Sequence, residues 1–326
     1  MLFIVSPNRH APYNIAAEEH ILGTFAEDVF LLYINAPSII VGKHQNTLGE
    51  INAEYVNARD IPVVRRLTGG GTVFHDLGNL NFSFIVKDDS QAATTFEKYT
   101  RPVLDALHDL GVDARLEGRN DLTIKGMKFS GNARACIGGK IIQHGTILFA
   151  SRITDLSLAL KANPLKFQDK AVKSVRARVT NVSEHLPHPL TMEQFIALIH
   201  TKVRALYPDA RDYEFSAADD TAINALVKAR YGTWEWNYGS SPAYSQHRTI
   251  RTRAGTIEAY VQVKRGYVEG VRFYGDYFSA RDADSLQDSL KHIRHTEKDL
   301  LPVLENADLQ AYFGDVDAAE ILSLLV

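Results

Sequence analysis

Residues 65–84 read RRLTGGGTVFHDLGNLNFSF, and this stretch constrains the chain more than any other. Three glycines in a row exceed what a turn needs. With no side chains in the way, their N–H groups can converge on one anion, as in a backbone nest. The chain has no G-x-x-x-x-G-K-[ST] loop and no G-x-G-x-x-G after a strand, so a phosphate held at Gly69–Gly71 implies another fold. Arg65 and Arg66 stand beside the glycines, and a guanidinium can grip a carboxylate or phosphate with two parallel hydrogen bonds. His75, Asp76, Asn79 and Asn81 add donors and acceptors beyond the turn. The competing reading is a plain hairpin loop with solvated charges at its edge. Adjacent side chains in extended backbone point opposite ways, which argues against a metal shared by His75 and Asp76.

The loop leads into a strand, since Leu80, Phe82, Phe84 and Val86 alternate with Asn81 and Ser83. A second segment of interest is GRNDLTIKGMKFSGNARA, residues 118–135. It reads as a short strand, LTI, then a turn at Gly126, then Lys128 ahead of a second glycine turn at Gly131. A lysine fixed between two turns supplies a preorganised cation where negative charge grows on phosphorus or on a carbonyl oxygen. Taken alone, Lys128 reads first as a solvated surface lysine, which most lysines are.

The 326 residues point to about two domains. A helix is predicted through Phe96, Tyr99, Val103, Leu107 and Leu110, ended by Gly111, with a later start or a kink at Pro102. HGTILFA, residues 144–150, reads as another strand. A helix capped by Thr191 carries Phe195, Ile199 and Val203 and stops before Pro208. Gly239–Pro242 reads as linker. Beyond it, Ile257, Ala259, Val261 and Val263 alternate in a hairpin turning at 264–266, with two short helices after it, the first capped by Asp284. The expected organisation is a domain at 1–238, a linker at 239–247 and a small α+β domain at 248–326. A net charge of −3 gives no electrostatic reason to expect nucleic-acid binding. No apolar run reaches the ~20 residues of a membrane span. One cysteine, Cys136, and an N-terminus without signal-peptide features lead to the expectation of a cytoplasmic protein, by default a monomer.

Seven segments together resemble the lipoate–protein ligase A family: PYNIAAEEHIL, PSIIVGKHQNTLGEIN, RRLTGGGTVFHDLGNLN, GRNDLTI, KFSGNA, HGTIL and KSVRARVTNVSE. They occur in the family's order over most of residues 7–185, and YGTWEWNYGSSP with the C-terminal hairpin and helices is similar to the accessory domain of its longer members. The resemblance implies an α/β fold: a mixed sheet flanked by helices, biotin/lipoate ligase-like and related to class II aminoacyl-tRNA synthetases. It implies that free lipoate and ATP, with Mg²⁺, give lipoyl-AMP and pyrophosphate. The lipoyl group then passes to a lysine of an apo lipoyl domain, such as those of 2-oxoacid dehydrogenase acyltransferase subunits or the glycine-cleavage H protein. It further implies a small domain that reorients between the two half-reactions.

Carried over residue by residue, the resemblance gives Arg66 contacts to ATP and the lipoyl side. Gly70, Gly71, Thr72, Val73 and Phe74 would hold the nucleotide, and Asn79 and Asp121 would contact the adenylate. Lys128, in the K-x-S-G-x-A motif, would touch both lipoate and nucleotide as the catalytic residue. Thr68, His75 and His144 would lie beside the lipoyl group. Asp121 is a candidate Mg²⁺ ligand on chemical grounds only, and the metal's ligands stay unassigned. Two enzyme rivals share the superfamily. An octanoyltransferase needs a cysteine just before GRNDLTI, where this chain has RLEG, residues 115–118. A biotin ligase needs a different Gly-Arg-rich loop. A non-catalytic binder of lipoyl-AMP or of lipoyl domains is the alternative from another class.

Overall fold

The structure is a computed structural model that describes residues 1–45, 47–88, 96–160, 179–238, 246–264 and 267–326. The predicted strand after the glycines is present, but neither of its faces meets water. Leu80, Phe82, Phe84 and Val86 pack into one core with Tyr99, Val103 and Leu107 of the helix Glu97–Asp109 and Phe195, Ile199 and Val203 of the helix Met192–Leu206. Phe82 and Phe84 are fully buried, each worth roughly 2–3 kcal/mol against exposure. On the opposite face Ile85 joins a second core with Ile15, Ala16 and Ile21 of the helix Ala11–Thr24. The polar alternates Asn81 and Ser83 are buried on that side too. The alternation therefore separates a core from a polar interior.

In chain order the strands of the larger part are β1 (Leu2–Val5), β2 (Val29–Tyr33), β3 (Ser38–Val41), β4 (Val63–Arg65), β5 (Val73–His75) and β6 (Asn79–Lys87). Then come β7 (Ala114–Glu117), β8 (Asp121–Ile124), β9 (Met127–Ile137), β10 (Lys140–Leu148) and β11 (Arg211–Asp212). An eight-stranded mixed sheet runs β11-β1-β2-β6-β10-β9-β8-β7, parallel at β11-β1-β2 and antiparallel onward. A small sheet, β4-β3-β5, stands apart and carries the glycine loop between β4 and β5. The β9–β10 hairpin turns at Gly138 and Gly139, both at positive φ (58° and 76°), where glycine costs no side-chain clash.

A separate core closes around β12 (Gln246–Thr252), β13 (Gly255–Lys264) and β14 (Tyr267–Gly275), an antiparallel meander. Ile257, Ala259, Val261 and Phe273 pack there against Leu286, Leu300, Leu304, Phe313 and Ile321.

Several local expectations are corrected. The helix Glu97–Asp109 runs through Pro102 without a later start, while Gly111 does end it at φ 76°. Gly131 lies inside β9, not in a turn, paired with Asp121; a register shift at Leu122/Thr123 supplies the irregularity expected of a turn. The C-terminal hairpin is part of three strands, and β12 takes in Gln246 and His247, which lie in the linker expected from sequence. Four helices come after it, not two: Asp284–Ser289, Glu297–Glu305, Leu309–Phe313 and Ala318–Leu325. Asp284 is inside the first of them; the cap position is Ala283, and the Asp284 carboxylate instead accepts from Gln287 at 2.7 Å. Thr191 does cap its helix, in a reciprocal box with Gln194. The linker residues 239–245, the turn at 265–266 and the KSVRAR segment at 173–178 lie outside the described residues. Among the described residues no helix is long and apolar enough to cross a membrane.

Candidate active site

A cavity of about 110 Å³ opens on the polar side of β6, between the glycine loop, β9, β10 and the helix Ala11–Thr24. Of the residues expected at the site, Arg66, Gly70, Gly71, Thr72, Val73, His75, Lys128 and His144 line it. Four do not. Phe74 alternates away from its neighbours on β5 and sits in a core with Ile39 and Val56. Thr68 is buried behind the wall, bonded to Arg66 Nε at 3.1 Å and His144 Nε2 at 2.7 Å. Asn79 donates to Asn81 Oδ1 at 2.9 Å, so Asn81 is the one of the pair in the lining. Asp121 reaches the site only through its ion pair with Lys128.

The two arginines part company. Arg65 does not grip an anion as expected; its guanidinium is spent on the carbonyls of Gly42, Lys43, Gln45, Trp236 and Asn237 and on the Thr47 hydroxyl. It ties residues 42, 43, 45 and 47 to residues 236–237 and does not line the cavity. Arg66 lines it. Its Nη2 donates to the Gly69 and Gly71 carbonyls at 2.7 and 2.8 Å, its Nη1 to Ile40 O at 3.2 Å and its Nε to Thr68. Among the described residues these four bonds use four of the five N–H groups and leave one on Nη1. Burial pushes Arg66 down to about 10, with the Glu18 carboxylate opposing that fall, so the guanidinium stays charged at neutral pH. Arg66 thus shapes the glycine loop from within.

Gly70 has φ 90°, and its N–H donates to Tyr277 O at 3.3 Å. A Cβ on Gly42 would lie 2.0 Å from the Gly70 carbonyl, so loop 42–45 and the glycine loop touch only because both are bare there. Thr72 donates to Gln45 Oε1 at 2.9 Å.

Lys128 Nζ lies 2.7 Å from Asp121 Oδ1, both side chains partly exposed. Its side chain crosses Gly131, where a Cβ would come within 2.9 Å of Nζ. The glycine's role is to make room for the ammonium arm.

At the far side, His144 Nδ1 faces both oxygens of Glu18 at 2.9 and 3.0 Å, while its Nε2 meets Thr68 Oγ1. Tyr33 OH also donates to Glu18, at 3.3 Å. Glu18, 1% exposed, is not among the residues expected from sequence, although a carboxylate in the apolar run NIAAEEHIL is a signal in itself. Tyr33, Ile15, Asn120, Asn132 and Thr146 likewise carry no sequence-based assignment and line the cavity; Asn81, among the polar residues expected beyond the turn, and Ile40, in the SIIVG strand expected to border an apolar acyl pocket, line it too. Asn120 and Asn132 each donate a side-chain amide to the other's carbonyl, which fixes the cavity wall near Lys128.

The small C-terminal part covers the glycine loop. His44 stacks on Tyr277 with ring centroids 4.6 Å apart, and its Nε2 meets Ser279 Oγ at 2.7 Å. Lys43 pairs with Asp282 at 2.6 Å, and the Arg119 guanidinium sits 4.5 Å from the Phe278 ring. Arg119 also donates to the Ala254 carbonyl. A Cβ on Gly69 would meet the Tyr277 carbonyl at 2.2 Å. Gly69→Ala is therefore expected to push residues 277–278 off the loop and to speed amide exchange at Gly70 roughly tenfold or more, as its hydrogen bond is lost. Unchanged protection at Gly70 in a hydrogen-exchange experiment would refute this.

The sequence matches the family model described as the lipoyl protein ligase A/B catalytic domain over residues 10–204 and the bacterial lipoate protein ligase C-terminus over residues 241–325. The chain belongs to the lipoate–protein ligase family. It is 41% identical to the lipoate-protein ligase LplJ of Bacillus subtilis strain 168, over all of both chains. In fold it matches P. falciparum LipL1, solved in complex with lipoate, with a TM-score of 0.81 at 24% identity, covering 99% of this chain and 98% of that one. A lipoate-protein ligase A bound with ATP matches with a TM-score of 0.62 at 26% identity, over 73% of this chain and 97% of that one. Membership in the lipoate–protein ligases brings with it the mixed sheet flanked by helices found above and an ATP-dependent ligase activity.

Proposed function

We propose that this cavity is where the ligase builds its acyl-adenylate, with Lys128 as the catalytic cation. The observation that carries the reading is that the Lys128 ammonium and the Gly70–Thr72 backbone line one cavity, facing a common volume. ATP lies along residues 70–73, lipoate runs inward from Lys128 toward His144, and the remaining Arg66 N–H points at the ligand. A carboxylate oxygen of lipoate attacks the α-phosphorus, and pyrophosphate leaves. Lys128 holds carboxylate and α-phosphate together and offsets the charge that grows between them. In the second step the amine of an acceptor lysine attacks the acyl carbonyl carbon. The acceptor side chain is mostly ammonium at neutral pH, with a pKa near ~10.4, so it loses one proton before the attack; the attacking amine loses a second as the amide forms and AMP leaves with the electrons of the broken C–O bond.

The relatives' names and the ATP-bound structure of a relative support lipoate and ATP as substrates. Among the described residues no cluster of three or more His, Cys, Asp or Glu could hold a metal. Mg²⁺ would enter on the ATP phosphates, keeping water as much of its shell. Apo lipoyl domains of 2-oxoacid dehydrogenases and the glycine-cleavage H protein are the proposed acceptors. Residues 1–238 and 248–326 are the proposed catalytic and accessory domains, and the cytoplasm is the proposed location.

A thioester route has no suitable nucleophile among the described residues. Cys136 is exposed near the β9–β10 turn and donates to Asp88 at 3.2 Å, and burial and that carboxylate raise its thiol. The deciding experiment is incubation with ATP, Mg²⁺, lipoate and an apo lipoyl domain, then intact mass. One lipoyl adduct is expected, and none when ATP is omitted; an adduct without ATP would overturn the ligase reading.

A further inference from the structure

One row of residues crosses the sheet beneath the cavity. Tyr33 pairs with Asn81, Asn81 with Thr146, and Gly131 with Asp121, while the Gly131 N–H donates to Thr146 Oγ1 at 3.4 Å. The row therefore runs β2, β6, β10, β9, β8, toward the β7 edge of the sheet. Exposure rises along it. Tyr33 and Asn81 are 3% and 1% exposed. The side chains of Lys128, whose Nζ lies over Gly131, and of Asp121 are 40% and 39% exposed. The cavity is closed at Tyr33 and open at Lys128 and Asp121.

In-line displacement gives that direction a chemical meaning. With the acid running inward from Lys128, its carboxylate oxygen reaches the α-phosphorus from the closed side. The new O–P bond forms there. The bond from the α-phosphorus to the bridging oxygen breaks on the opposite side, and its electron pair leaves on pyrophosphate. Pyrophosphate thus departs through the open end, toward the β7–β8 turn. Arg119 stands on that turn, next to Asn120, which lines the cavity. Its guanidinium packs on the Phe278 ring, 4.5 Å from the centroid. Cε1 and Cζ of the same ring lie 3.2 and 3.3 Å from where a Cβ on Gly70 would be, so one ring spans from Arg119 to the glycine loop. Among the described residues the guanidinium makes one hydrogen bond, to the Ala254 carbonyl, which leaves four of its five N–H groups unused. The carboxylates nearby are engaged elsewhere. Asp121 pairs with Lys128 at 2.7 Å, and Asp276 accepts from Thr256 N at 2.5 Å and lies 3.6 Å from Arg251.

We propose that Arg119 is a further catalytic residue, which takes up the charge of the departing pyrophosphate, and that the small C-terminal part aims it through Phe278 and the Ala254 carbonyl. The proposal rests on the ligase reading of this cavity. A guanidinium holds a phosphate group with two parallel hydrogen bonds, and a ring against its face fixes its plane. Lys128 is at the α-phosphate and cannot also follow the leaving group outward, so a second cation is needed at the rim. Phe278 is a positioning residue.

The test runs two reactions of the full-length protein from the same lipoyl-AMP, both with Mg²⁺. Inorganic pyrophosphate returns it to ATP and lipoate. An apo lipoyl domain takes the lipoyl group in a reaction that uses no pyrophosphate. Arg119→Ala is expected to lower kcat/KM for pyrophosphate in the first by about 10–100-fold, the usual worth of hydrogen bonds to a charged group, and to leave the second within about twofold of the wild type. A loss below about threefold in the first overturns the proposal. So does an equal loss in both, which is what a merely structural contact between the two parts of the chain gives. Phe278→Leu keeps an apolar cover on Gly70 and removes the ring face. It is expected to slow the pyrophosphate reaction about threefold, and to add nothing in the Arg119→Ala background. An equal loss in both backgrounds overturns the aiming role of Phe278. If the wild type forms neither ATP nor lipoylated domain, the ligase reading itself fails, which separates the two cases.

Discussion

Lys128→Ala is expected to slow lipoyl-adenylate formation by roughly 10²–10³-fold, the usual cost of losing one preorganised group that stabilises transition-state charge. The fold is expected to survive. The Lys128–Asp121 pair is partly exposed on both sides, so screening by water limits its worth to about 1 kcal/mol or less. Lys128's backbone roles, its pairing with Thr123 and its carbonyl's bond from Thr180 N at 2.9 Å, do not depend on its side chain. Lys128→Arg is not expected to rescue, because the ammonium arm already fills the space above Gly131 and a guanidinium is broader. Pyrophosphate release from purified protein with an unchanged melting temperature is the measurement. A Lys128→Ala rate within a few-fold of wild type would remove Lys128 from the chemistry.

Glu18→Ala is expected to act on stability, by about 3 kcal/mol. Its carboxylate is buried and accepts from His144 Nδ1 and Tyr33 OH. Removing it strands two buried donors and opens a void, and truncating one member of a buried polar pair costs more than the pair's net worth. The loss also withdraws the negative charge that favours Arg66's charged form, and with it support for the glycine loop that Arg66 braces. Glu18→Gln keeps an acceptor and is expected to lose less than half as much. Urea unfolding gives the comparison: a Glu18→Ala loss below about 1 kcal/mol would mean that the network carries little weight.

The glycine loop, the lysine strand and the Thr191 cap are legible in the sequence because each is a local matter. A run of bare residues, an alternation or a capping box is written in neighbouring positions. Sequence misleads where a local signal takes its meaning from elsewhere in the chain. Arg65 and Arg66 look equivalent in sequence, yet successive residues at the end of β4 face opposite ways, so one braces a loop and the other lines the cavity. Phe74 is expected at the nucleotide together with its neighbours; strand alternation turns it into the core. Gly131 looks like a turn, since the sequence records a missing side chain without saying what needs the space.

The sequence by itself determined the alternating strands, the loop with freed backbone and the family to which the chain belongs, because these depend on residue order over short spans. Only the tertiary structure decided that Glu18, 126 residues before His144, braces that histidine in the cavity wall, that Asn35 faces His75, and that Tyr277 meets Gly70. Those contacts arise from how strands pair and sheets close. A hydrogen bond between distant segments depends on that geometry to within a few tenths of an ångström, and no short stretch of sequence carries it.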